Sequence, residues 1–142
     1  MYNFGRLEVP DDRDMRFGIA PLLSVPPITE TFWWDNGWWC NQGSSSQCVA
    51  YSWMHWLEDG PVIQDSILGR AKPLLETVDF YEACKKIDRW PGENYNGTSV
   101  RAGAKILGDL GIINEYRWAF NIDEVVNKLL TFGPMVVGTK WY

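Results

Sequence analysis

The chain has one histidine, His55, among its 142 residues. It also lacks any concentration of positive charge: the net charge is −5, and the longest basic cluster is Lys85-Lys86 with Arg89 close by. A phosphate-binding surface needs clustered Lys and Arg, so nucleic acid is not expected as a partner. No apolar run approaches the ~18 residues of a membrane span, and no membrane partner is expected. The three cysteines, Cys40, Cys48 and Cys84, form no short-range pairing pattern. They do not read as a secreted disulfide framework, which favours a reducing compartment, the cytoplasm or a virion. The N-terminus has no basic stretch leading into an apolar one, so no signal peptide is expected. The cysteines and His55 contain no Cys-x-x-Cys spacing, and neither a metal site nor a cofactor is expected.

What is present is apolar and aromatic. Hydrophobic residues make up 46% of the chain and nine residues are tryptophan. A chain of this length and composition reads as one domain with a packed core. Trp33-Trp34 and Trp38-Trp39 are expected to fill the core and its rim, with sugar or protein stacking as the other use of such pairs. Residues 1–30 contain Pro10, Pro21, Pro26, Pro27 and the charged turn Pro10-Asp11-Asp12-Arg13-Asp14, and read as an irregular arm around a domain at 31–142.

Helical spacing marks four segments. Gln47 to Asp59 is apolar on nearly every side, as in a buried central helix; Ser44, Ser45 or Ser46 can cap it and Gly60-Pro61 ends it. Residues 74–90 carry a stripe of Leu75, Val78, Phe80, Tyr81, Cys84 and Ile87. A third helix begins at a Thr98 or Ser99 cap and runs to Leu110, with Gly111 as its stop. Asn121 caps a fourth, stopped by Gly133-Pro134. Tyr116 to Phe120 reads as extended, and Met135 to Tyr142 as a β-strand that lacks evident partners.

The chemistry concentrates in Asn41-Gln42-Gly43-Ser44-Ser45-Ser46-Gln47-Cys48. A thiol at a helix N-terminus is favoured as the nucleophilic thiolate. Gln42, across a tight Gly43 turn, can aim its amide at the same point, forming an oxyanion hole with the Cys48 N–H. A general base must approach its proton within about 3 Å. His55 shares the helix with Cys48 but lies about 10 Å along it at 1.5 Å per residue, too far to serve.

This motif, with Ala50 and Ser52 after the cysteine, resembles the nucleophile region of papain-like (C1 family) cysteine peptidases. Asn96 to Ala104, Glu115 to Trp118 and Gly133 to Gly138 resemble segments of the bacterial and phage-encoded members. The resemblance implies an α+β fold: the helical left domain with the beginning of the right β domain, Met135 to Trp141 being its first strand. It implies Cys48 as nucleophile, Gln42 as oxyanion donor, and Gly97 with Asn96 along the substrate backbone. The sequence departs from the family at Ser45, where a disulfide cysteine is usual, at Ser46 for glycine and at Val49 for an aromatic residue. The His base and its orienting Asn, which the family carries in the β domain, are not among these residues. Two functions follow as expectations. One is peptide-bond hydrolysis through an acyl-enzyme, completed by a chain supplying His and Asn. The other is an inactive papain-like scaffold that binds a peptide or docks in a larger assembly.

Overall fold

A computed structural model of the chain describes residues 5–22, 41–59, 78–88 and 95–139. The tryptophan pairs, Cys40 and the Gly60-Pro61 stop lie outside them. Four α-helices are described: α1 (Cys48–Asp59), α2 (Val78–Ile87), α3 (Val100–Asp109) and α4 (Ile122–Thr131). The described part is thus mainly helical.

The helix starts follow local chemistry. At α3, the Ser99 hydroxyl accepts from the Ala102 N–H and satisfies one donor of the first turn. At α4, Asn121 accepts from the Glu124 N–H, and the Glu124 carboxylate accepts in return from the Phe120 N–H, each at 2.9 Å. This reciprocal arrangement closes the helix entry much as a capping box does. Gly111 and Gly133, at φ +68° and +116°, turn the chain out of α3 and α4. The serines before α1 do not cap it. Its first bond runs from the Tyr51 N–H to the Gln47 carbonyl, and the Ser45 hydroxyl donates instead to the Gln42 carbonyl.

The core lies between α1, α2 and α3. Val49, Ala50, Trp53, Met54 and Leu57 line one side of α1 and pack with Phe80, Tyr81 and Cys84 of α2 and Ala102, Ala104 and Leu107 of α3. Helix α1 is therefore amphipathic rather than apolar on all sides: Ser52 is exposed, and Tyr51, His55 and Trp56 are half-buried. Gly103 lets α3 sit against the Trp53 ring, whose Nε1 donates to the Val100 carbonyl at 3.1 Å. The Trp56 indole donates to the Pro134 carbonyl and ties α1 to the segment after α4.

That segment is not a strand. Residues 133–139 have no ladder partner among the described residues, and a lone β-segment leaves its polar backbone groups without a sheet to join. The described β-pairing consists of two isolated parallel bridges, Arg6 with Thr98 and Gly18 with Trp118. The second realises the extended reading of 116–120.

Both bridges belong to the N-terminal arm, which is anchored more firmly than an irregular wrap. A 3-10 segment, Asp12–Phe17, is opened by the Asp11 carboxylate. Asp11 and Asp14 both pair with Arg101 of α3, whose side chain is 7% exposed. The Arg101 guanidinium also lies 5.4 Å from the Trp118 ring centre. Ile19 completes the anchor as a buried side chain.

Candidate active site

Cys48 is the first residue of α1 and its side chain is half-buried. The turn before it is built by its own side chains. Asn41 accepts from the Gly43 N–H, Gly43 takes φ +60°, and the Ser45 N–H returns to the Gln42 carbonyl. These contacts deliver the chain to the start of α1 with the thiol at the positive end of the helix.

Burial raises the Cys48 thiol above its ordinary value. The Val49 and Cys48 backbone N–H groups and the charge of Arg6 pull the other way without overcoming it. The resting thiol is therefore protonated at neutral pH, and the helix end alone does not make it a thiolate.

Gln42 stands in the same turn, but its amide nitrogen donates to the Ser45 carbonyl at 2.9 Å. The oxyanion role thus requires its second N–H or a rotation of the side chain. His55 stays on α1, two turns beyond Cys48.

Gly97 has φ +106°, where a side chain is strained. Its N–H is not free for a substrate: it donates to the buried Tyr81 hydroxyl at 2.7 Å. The outward backbone groups belong to Thr98, whose N–H donates to Gly5 at 2.7 Å and whose carbonyl accepts from Leu7 at 2.9 Å. Asn96 is exposed. Asp88, at the end of α2, fixes this edge by accepting from the Thr98 and Ser99 hydroxyls. Tyr81 and Asp88 are thus positioning residues for the edge. In the sequence, Tyr81 was part of an apolar stripe and Asp88 was one more surface charge.

The Gly5–Leu7 segment brings the two halves of the site together. A Cβ on Gly97 would collide with the Gly5 carbonyl, and a Cβ on Gly5 would collide with the carbonyl of Ser46, just before Cys48. On the other side, the Arg6 guanidinium packs against Gly138. Beside this junction lies an open cavity of about 600 Å³, lined mainly by apolar groups including Trp53, Trp56, Val100, Tyr116 and Val136. Neither Cys48 nor Gln42 lines it.

Comparison with known proteins gives no match, neither to a family model nor to a characterised protein nor to a solved structure.

Proposed function

We propose that this chain carries the nucleophile half of a papain-like cysteine peptidase. The observation that carries the proposal is the position of Cys48: the first residue of a core helix, after a self-bonded Gln42–Ser45 turn and beside the backbone edge at Gly97-Thr98. A peptide laid along that edge would present a carbonyl to the sulfur. The thiolate would attack it, with the Cys48 N–H and the Gln42 amide available to the oxyanion. The protonated resting thiol fits a site whose base comes from outside these residues.

On this reading the chain by itself acylates but does not turn over. A peptidyl p-nitrophenyl ester tests it, because its leaving group needs no acid. The Cys48 sulfur bonds the acyl carbon, p-nitrophenolate departs and the thiol proton goes to solvent. One hydroxylamine-labile acyl group per chain on Cys48, absent in Cys48→Ala, is the expected mass shift. Acylation no greater at Cys48 than in the urea-unfolded chain would overturn the proposal.

The raised thiol and the inward-turned Gln42 amide also favour a second reading, a papain-like scaffold that binds an extended peptide and performs no chemistry. It predicts peptide binding at the Thr98 edge with no acyl transfer.

A further inference from the structure

We propose that the N-terminal arm is an autoinhibitory strap: Gly5–Leu7 occupies the backbone edge beside Cys48, and an extended peptide reaches the sulfur only when this short segment lifts away. The inference rests on the peptidase reading of Cys48 and adds how access to that site is controlled.

Main-chain geometry carries the argument. An extended peptide docks on an exposed edge by pairing with its N–H and carbonyl groups. Here the outward groups are those of Thr98, and both are already bonded, to the Gly5 carbonyl and the Leu7 N–H. The pairing is the one a bound peptide would make. It is also close-fitting, because Gly5 touches Ser46 on one side and Gly97 on the other, with no room for a Cβ at either glycine. A second chain cannot share this space with the arm. The Gly97 N–H offers no detour, since it faces inward to Tyr81.

The arm is fastened unevenly, which suits it to opening at one end. Residues 11–19 are held by the buried Asp11 and Asp14 pairs with Arg101, by the Trp118 bridge and by the buried Ile19. Residues 5–7 are held by two backbone bonds and the packing of Arg6 on Gly138. Pro10, which cannot donate a backbone bond, stands between the two parts. Local opening takes the part with the fewest buried contacts, so Gly5–Leu7 can lift while 11–19 stays docked. Lifting also carries the Arg6 charge away from Cys48, so the strap changes the field at the thiol as well as access to it.

The test compares the full chain with Leu7→Pro, which deletes the N–H that Thr98 accepts, and with Leu7→Ala, which keeps it. Each is treated with a peptidyl epoxide and, separately, with iodoacetamide, and labelling at Cys48 is read by mass spectrometry. The strap predicts that Leu7→Pro reacts at least fivefold faster than the other two chains with the peptidyl reagent. With iodoacetamide the gain is less than twofold. Hydrogen exchange of the Thr98 amide accelerates in the same variant while α1 and α3 amides keep their protection. The unmodified chain gives a second reading that does not depend on the variant folding: its peptidyl labelling proceeds no faster than the Leu7 amide opens to exchange. Labelling faster than that opening, or equally fast selective labelling in all three chains, overturns the strap and leaves the peptidase reading standing. No preference of Cys48 for the peptidyl reagent in any chain overturns the peptidase reading and the strap with it.

Discussion

Replacing Arg101 by methionine keeps most of the volume of a buried side chain and removes its charge. The guanidinium is 7% exposed and faces two carboxylates, Asp11 at 9% and Asp14 at 20% exposure. Removing one partner of a buried ion pair costs about 3–5 kcal/mol, because the remaining charge is left uncompensated. Asp11 keeps part of its compensation: Arg13 donates to it through its backbone N–H at 3.0 Å and its Nε at 2.9 Å. Asp14 has no such second cation described. The penalty therefore falls mainly on Asp14, and about 3 kcal/mol is expected, including the lost contact with Trp118. A domain of this size has only about 5–15 kcal/mol in hand, so the loss is visible in urea as a lower midpoint at constant slope. The triple variant Arg101→Met, Asp11→Asn, Asp14→Asn removes the stranded charges and should recover at least half of the loss. A loss below about 1 kcal/mol in the single variant, or no recovery in the triple, would refute the claim that this cluster anchors the arm.

Other expectations follow from the same contacts. Gly97→Ala forces a side chain into the left-handed region and onto the Gly5 carbonyl; it should cost about 1–3 kcal/mol and expose the Thr98 amide to exchange. Asn121→Ala removes the α4 cap, with a loss of about 1 kcal/mol in urea melts and no change in Cys48 alkylation. Burial, and then the Asp88 charge, pushes the Cys84 thiol up to about 12 from 9.0. The native state then holds a proton that the unfolded chain releases, so stability from this group is whole below pH 9 and is lost as pH rises toward 12. That slope should vanish in Cys84→Ala. Cys48, raised by burial, should alkylate with a midpoint above that of a cysteine peptide run beside it.

The helices were legible because their signals are local. Val100, Ala104 and Leu107 recur at helical spacing, Ser99 and Asn121 stand where caps belong, and Gly111 and Gly133 mark the exits. Cys48 at the head of α1 was legible for the same reason. The arm was not, because its order comes from partners far away in sequence: Thr98 for Arg6, Arg101 for Asp11 and Asp14, Trp118 for Gly18. No spacing within residues 5–22 announces such pairs. Strand propensity at Met135 to Thr139 misled, since a strand needs a neighbour and none is described there. The Gln42 side chain could be placed near Cys48 from sequence, but its choice of the Ser45 carbonyl is a matter of turn geometry that residue types do not encode.

The most direct measurement of the central claim is the rate of acyl transfer to Cys48 from a peptidyl p-nitrophenyl ester, divided by the rate from the acetyl ester of the same phenol. Both are read at that residue by mass spectrometry. If Cys48 is the nucleophile of a peptide-binding cleft, the ratio in the folded Leu7→Pro chain is about ten or more and falls to about one in urea. A ratio near one in the folded chain would contradict it, leaving Cys48 a half-buried thiol with no cleft to serve.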